Sequence, residues 1–415
     1  MNWFSYIFLI ALGCGLLLQL WLLRRQRNYV ISHRSEVPAA FSNHVSLSQH
    51  HKAADYTLAQ VNLGSKETLF GAVVLLGWTL GGGLQLVQHI WDSMALDSGP
   101  LILGAGFILS VSILSGLLAL PFSVWNTFVL ENSYGFNRTT PVQFAKDILL
   151  KLLLSLILGV PVILVILWLM LKAGDLWWLA AWLFWTGFTL LMSWIYPSII
   201  APLFNKFTPL EDEQMRTRIQ QLLDRCGFTS NGIFVMDGSK RSSHGNAYFT
   251  GLGKNKRIVF FDTLLAHLEA DEMEAVLAHE LGHFKRRHVL KGLLIMMASS
   301  LLGLALLGWL IQQSWFFNGL GVTTESDAMA LLLFMMTVPV FSQFLHPLLA
   351  KMQRKHEFEA DDYAVEQAGA NPMITALVKL YKENASTLTP DPLYSAFHDS
   401  HPPAPVRIAY LSSKL

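Results

Sequence analysis

His279, Glu280 and His283 stand in the order H-E-x-x-H within the stretch AVLAHELGHFKRRH, Ala275–His288. On a helix, residues four apart project from the same face, so His279 and His283 can hold one metal ion between them. Glu280 lies about 100° round the axis from His279. It can reach a water on that metal without being a ligand, the arrangement in which a glutamate serves as general base for peptide hydrolysis. Catalytic zinc takes three protein ligands and leaves a position for water. The chain offers a third in KHEFEADDYA, Lys355–Ala364, where Glu357 and Asp361 are again four apart. Glu357 would complete a His₂Glu set for one Zn²⁺ per chain. Asp361 would accept a hydrogen bond from a ligand imidazole, His279 first. His356 and Glu359 are rival ligands, with His356 about 100° away from Glu357 on the helix. A solvated acidic helix start is the plainer reading of that run taken alone.

The elements that must position these groups are unusually apolar. Of 415 residues, 53% are hydrophobic, only 14% are charged, and mean hydropathy is +0.41. Soluble domains carry about a quarter charged residues, so the deficit points to an integral membrane protein in contact with the lipid bilayer. A net charge of +1 gives no basic footprint for a nucleic acid. Cys14 and Cys226 supply neither a disulfide framework nor a cysteine zinc motif. Apolar runs long enough to span are Phe4–Leu23, Leu69–Ile90, Leu101–Trp125, Leu149–Leu171, Leu176–Ile200, Val289–Ile311 and Ala328–Ala350. The first is read as retained, because it lacks a basic leader and is followed by Arg24, Arg25 and Arg27.

Lysine and arginine cluster in the first loop, in Asn126–Ile148 and after the last span, and are absent from Asp92–Pro100 and Gln312–Asp327. The positive-inside rule then places the N-terminus outside, with the long loop Ala201–His288 and the C-terminal segment together in the cytoplasm. Within that loop, Glu211–Gly227 reads as an amphipathic helix, GIFVMDGS as a strand and turn, and Asn246–Asp262 as two strands about a Gly/Lys/Asn turn. Two helices follow, with Thr263 and Asp271 as N-caps and Glu274 closing a capping box with Asp271. The histidines of SQHHK, Ser48–Lys52, read as part of a solvated loop. The organisation expected is residues 1–125 for the first three spans and a cytoplasmic loop, 126–200 for two more spans, 201–288 for a peptidase domain, 289–350 for the last two spans, and 351–415 for a tail carrying the third ligand.

HELGH followed by EFEAD resembles the gluzincin pattern H-E-x-x-H…E-x-x-x-D. The segments ENSYGFNRTT (Glu131–Thr140), IAPLFNKFTPL (Ile200–Leu210), SSHGNAYFTGLGKNKRIVFFDTLL (Ser242–Leu265) and SHPPAPVR (Ser400–Arg407) narrow the resemblance. They look like the motifs of the type I CAAX prenyl protease family of integral-membrane zinc metallopeptidases, from about Asn126 to the end. The resemblance implies a predominantly α fold, with about seven transmembrane helices around an intramembrane chamber. A gluzincin-like zinc peptidase domain with a small β-sheet caps it, and substrate lies along an edge strand beside the zinc. It implies further that Asn246 contacts the substrate backbone, that His401 stabilises the tetrahedral oxyanion, and that Arg407 closes the motif. Edge strands do bind extended peptides by strand addition, and a donor aimed at a developing oxyanion is worth ~3 kcal/mol.

The expected function is zinc-dependent hydrolysis of a peptide or protein substrate, prenylated or not. Compactness and the lack of a eukaryotic retention signal favour a bacterial inner membrane, the active site toward the cytoplasm, and damaged membrane proteins as substrates. Two alternatives stand beside it. A seven-span transporter with an incidental metal site would show repeated, broken helices with polar midplane residues, and no such repeat is visible. The shorter heat-shock membrane zinc protease of the same clan would lack the GFN and SHPP segments.

Overall fold

A computed structural model describes residues 1–94, 99–250 and 257–415. Residues 95–98, and residues 251–256 where the Gly/Lys/Asn turn is expected, lie outside the described residues.

Helix α1 (Trp3–Ser32) begins on Asn2, whose side chain accepts from the amides of Phe4 and Ser5. Helix α2 (Leu47–Trp78) begins on Ser46, capped reciprocally by Gln49. Most of the segment read as a loop ahead of the second span is therefore helix. His50 of SQHHK is buried, with Nε2 2.9 Å from the His33 carbonyl, and is not part of a solvated loop. The expected span Leu69–Ile90 is broken. Thr79 turns its hydroxyl back onto the Leu75 carbonyl, Gly82 adopts φ +79°, and α3 (Gly83–Ser93) leaves at 47° to α2. A run of three glycines after Leu80 allows this, because a left-handed residue without a Cβ carries no steric penalty.

The remaining spans are α4 (Pro100–Trp125), α5 (Pro141–Lys172) and α6 (Trp177–Ile195), then, after the peptidase unit, α11 (His288–Leu310) and α13 (Asp327–Ser342). Between α6 and α11 come α7 (Ala201–Phe204), β1 (Phe207–Pro209), α8 (Glu213–Cys226), β2 (Ile233–Met236), β3 (Ala247–Thr250), β4 (Arg257–Phe261), α9 (Asp262–Leu265) and α10 (Ala270–Lys285). Helix α12 (Ser314–Gly319) precedes α13. Helices α14 (His346–Ala368), α15 (Ala370–Glu383), α16 (Pro392–His398) and α17 (Ala404–Ser412) complete the chain. Among the described residues, six helices are long and apolar enough to cross a membrane, or seven if the bent pair α2 and α3 is one span.

These spans pack side by side in the order α1, α2 with α3, α4, α5, α6, α11, α13, and α13 returns to α1. Helix α13 also packs on α4 and α5. Only 11% of the most apolar window of α5, α6 or α11 is buried, so these spans keep most of their apolar surface outside the protein core. One end is plugged by Phe107, Phe316, Phe317, Met329 and Leu333. At the other end sits the peptidase unit.

The sheet of that unit runs β1-β2-β4-β3, with β2 and β4 parallel and the outer pairs antiparallel. β4 is buried at its centre, as its apolar sequence requires. β3 lies at an edge. β1, within IAPLFNKFTPL, was not expected as a strand. Helix α8 runs from the Asp212 cap to Gly227, at φ +68°. Its Ile219, Leu222 and Leu223 pack on Phe260, Ala275 and Leu281. The expected N-caps differ. Helix α10 starts on Glu269, paired with Glu272, and Asp271 is already inside it. Glu274 closes no capping box. It is buried between Arg218 and Arg225 of α8, at 2.5 and 2.7 Å, which offsets its desolvation. Thr263 is likewise inside its helix, its amide held by the Asp262 carboxylate.

The boundary expected after residue 350 falls inside α14, so the third-ligand candidate rides on a helix that follows α13 through one tight turn, Gln343–Leu345. The rest of the tail is tied back to the membrane ring. Asp391, almost fully buried, accepts from Arg25 of α1 at 3.2 and 2.9 Å, and it caps α16 through the amides of Leu393 and Tyr394. Burial pushes this carboxyl up, but Arg25 and the two amides outweigh it and hold it below the ordinary value. A depressed folded-state pKa adds stability that is present above the unfolded value, about 4, and is lost as pH falls through the folded one. Asp391→Asn keeps the cap and should lower the thermal midpoint less than Asp391→Ala. Scanning calorimetry in detergent should show both differences from the native protein shrink on acidification below about pH 4.

Candidate active site

Helices α10 and α14 form the site, and their close approach is set by Gly282. A Cβ there would come within 3.0 Å of the Ala360 Cα and 3.1 Å of its carbonyl oxygen. The glycine in HELGH thus lets α14 lie against α10 deeply enough for Glu357 to reach the two histidines.

The three donor atoms are His279 Nε2, His283 Nε2 and a Glu357 carboxylate oxygen. The two imidazole nitrogens are 3.3 Å apart, His279 Nε2 is 3.4 Å from Glu357 Oε2, and His283 Nε2 is 3.4 Å from Glu357 Oε1. Ligands about 2.05 Å from a tetrahedral zinc lie roughly 3.3 Å from one another. Glu357 Oε2 is also buried without a hydrogen-bond partner, which a protein tolerates where another ligand completes the group. Donor chemistry, spacing and the orphaned oxygen all fit a divalent metal of the zinc type. Among the described residues, this is the one group of three such side chains converging within 4.8 Å.

Around the donors, the orienting contacts divide by ligand. His279 Nδ1 is 2.9 Å from Asp361 Oδ1. Asp361, fully buried, is gripped by Arg407 through Nε at 2.9 Å and Nη2 at 2.5 Å. Arg407 Nη1 lies 3.6 Å from Glu357 as well, so one guanidinium steadies both carboxylates. Burial alone would push the His279 imidazole down, but the neighbouring Asp361 and Glu357 carboxylates hold it up at about 9.

Glu280 lines a cavity of about 830 Å³ together with His279, Asn246, His401 and Tyr56. Burial pushes the Glu280 carboxyl above its ordinary value, against the pull of the two imidazoles. His401 Nε2 is 3.4 Å from Glu357 Oε1, and its side chain is 61% exposed toward the open side of the site. Asn246 stands at the head of β3, its side-chain oxygen accepting from the Ala247 amide at 2.8 Å. Of the rival ligands, Glu359 is 2.9 Å from His288 and His356 stacks on the His288 ring at 4.0 Å, so neither joins the donor group.

Two sets of polar contacts here were not foreseen. His288 meets the outer nitrogen of His283. Its five-residue spacing hides the contact, because only a break between α10 and α11 brings the rings together. Glu131 joins two cavity-lining residues, the Tyr56 hydroxyl at 2.5 Å and His244 at 3.2 Å. Asn384 meanwhile bonds both backbone groups of Gly245. This clasp fixes the approach to β3 against α2 and the turn after α4. The GFN segment was the sequence signal for its neighbourhood, with Phe136 stacked on His244 at 4.3 Å.

A family model described as CAAX prenyl protease N-terminal, five membrane helices, matches residues 26–206, and the model of peptidase family M48 matches residues 209–415. The chain is 34% identical to CAAX prenyl protease 1 of Saccharomyces cerevisiae, over 94% of its own length and 92% of the relative's. It belongs to the CAAX prenyl protease family. A homologue from Arabidopsis thaliana is 37% identical over 82% of this chain and 79% of its own, and one from Mus musculus 31% identical over 95% and 92%. The crystal structure of S. mikatae Ste24p superposes with a TM-score of 0.91 at 29% identity, covering 99% of each chain. The protein is therefore a multi-pass membrane metalloprotease. The transporter reading fails on these matches, and the shorter heat-shock protease does not account for full-length similarity.

Arg407→Ala would leave two buried carboxylates facing each other without their cation. Breaking a buried pair in this way costs about 3–5 kcal/mol. Denaturant unfolding should show that loss, and Arg407→Lys, which keeps the charge but not the paired contact with Asp361, should recover only part of it.

Proposed function

We propose that the protein is a zinc endopeptidase whose ligands are His279, His283 and Glu357. The approach of the two imidazole nitrogens to each other, 3.3 Å, and of each to one of the two Glu357 carboxylate oxygens, 3.4 Å, carries this reading. Zinc bound there would supply Lewis-acid polarisation of the scissile carbonyl and acidify the attacking water. The chain's own groups do the rest. An extended substrate adds to the free edge of β3, with Asn246 holding its backbone at the site. Glu280 takes the proton of the attacking water and delivers it to the leaving amine. His401 donates to the oxyanion as the carbonyl becomes tetrahedral. Asp361 keeps the His279 ring turned toward the metal, and Arg407 keeps Asp361 in place.

The site faces the cytoplasm in this reading, on the positive-inside pattern of the loops. The substrate proposed is a prenylated protein cut near its C-terminus, with the apolar interior of the ring accommodating the lipid. Similarity to CAAX prenyl protease 1 over nearly the whole chain supports it. A second reading, clearance of damaged membrane proteins in a bacterial inner membrane, draws on the edge strand itself. Strand addition reads backbone more than side chain, so unmodified extended segments also fit.

The deciding experiment incubates purified protein and its Glu280→Gln variant with a farnesylated C-terminal CAAX peptide and its unfarnesylated twin, and identifies products by mass spectrometry. Wild type should release the last three residues, while Glu280→Gln should be slower by about 10²–10⁴-fold with zinc still bound. Cleavage of the farnesylated peptide alone supports the prenylated substrate, and equal cleavage of both supports the broader role. Equal activity in wild type and variant would remove Glu280 as the base.

A further inference from the structure

His283 carries an orienting device of its own, unrelated to the Asp361 contact of His279. Its outer nitrogen, Nδ1, lies 3.0 Å from His288 Nδ1, and His288 Nε2 lies 2.9 Å from Glu359 Oε2. His288 is buried, and the His356 ring stacks on it at 4.0 Å with planes only 11° apart, so its orientation is fixed. Lys355 and Lys291 approach the Glu359 carboxylate at 3.7 and 3.9 Å, which favours its ionised, accepting form.

Proton positions along this chain follow from elementary bookkeeping of donors and acceptors. A carboxylate accepts only, so His288 Nε2 must carry a hydrogen and donate it to Glu359. A neutral His288 then has a lone pair at Nδ1 and accepts from His283. His283 is thereby obliged to carry its hydrogen at Nδ1, which leaves the Nε2 lone pair free and aimed at His279 Nε2 and Glu357. That is the tautomer a metal ligand requires.

The backbone makes the contact possible. On an unbroken helix, residues five apart sit about 140° apart and cannot touch. Here Arg287 adopts φ +57°, a left-handed conformation that is sterically costly for a non-glycine residue. This breaks the chain between α10 and α11 and swings His288 back under His283.

We infer that His288, held by Glu359, is a positioning residue that fixes the tautomer and ring orientation of His283 for zinc binding. The inference rests on His283 being a zinc ligand, as proposed above.

Zinc dissociation constants, measured by competition with a chromogenic chelator, test it on the full-length protein in detergent, with circular dichroism as the check on folding. The variants are His288→Ala, His288→Asn and Glu359→Gln. Asparagine can accept from His283 and donate onward, whereas alanine can do neither. His288→Ala should weaken zinc about 10–100-fold. His288→Asn should stay close to native, and Glu359→Gln should fall between. Native zinc affinity in a folded His288→Ala protein, or equal weakening in His288→Asn and His288→Ala, would overturn the inference. Should His288→Ala fail to fold, Glu359→Gln, which keeps the shape of the site, decides alone, and an unchanged constant there overturns it. If the native protein itself binds no zinc, the proposed metal site fails instead, a result separable from the other two.

Discussion

Two imidazole nitrogens 3.3 Å apart, each 3.4 Å from a carboxylate oxygen of Glu357, repel unless something positive sits between them or beside them. Much of the peptidase unit can be understood as the means of holding His279, His283 and Glu357 in that unfavourable closeness. All three are at least partly removed from water, which raises the cost of any uncompensated charge. Arg407 supplies a buried positive charge against Glu357 and Asp361. Gly282 allows the backbone of α14 to come near enough for Glu357 to reach. Neither helix could hold the geometry alone, because the histidines ride on α10 and the carboxylate on α14.

The same constraint governs how the site relates to the membrane. Hydrolysis needs water and ionised groups, and a lipid interior excludes both. The chain separates the two demands by grouping its apolar spans together and mounting the peptidase unit at one end. The attachments between them are polar and specific. Arg25 reaches from α1 to Asp391, and Tyr56 of α2 reaches through Glu131 to His244 beside the edge strand. The edge strand β3 is thus referenced to the membrane helices through hydrogen bonds, which hold direction as apolar packing does not.

Two breaks in regular structure each have an identifiable cause. Left-handed Gly82, after Thr79 bonds back to its own helix, separates α2 from α3 and bends the span. Left-handed Arg287 separates α10 from α11 and brings His288 to His283. The first uses a residue that adopts the conformation freely. The second uses one that does not, so surrounding contacts must hold it.

By itself, the sequence determined whatever depends on short-range periodicity and composition. Spans could be read from runs of apolar residues, and a shared helical face from the four-residue spacing of His279 and His283 and of Glu357 and Asp361. Strands β2, β3 and β4 were legible in β-branched and aromatic runs, and the family in its motifs. What it left open depends on contacts distant in the chain or on breaks in periodicity. Glu359 and His356 shared a helix with Glu357 and looked like rivals for the metal. Only the crossing of α10 and α14, and the turn at Arg287, assigned them to His288 instead. Glu274 resembled a capping residue because its local spacing allowed it, yet tertiary packing placed two arginines of α8 against it. Helical periodicity states which residues share a face. Which face meets which is decided by the packing of helices against one another, and in this protein that packing converts two separate motifs into one site.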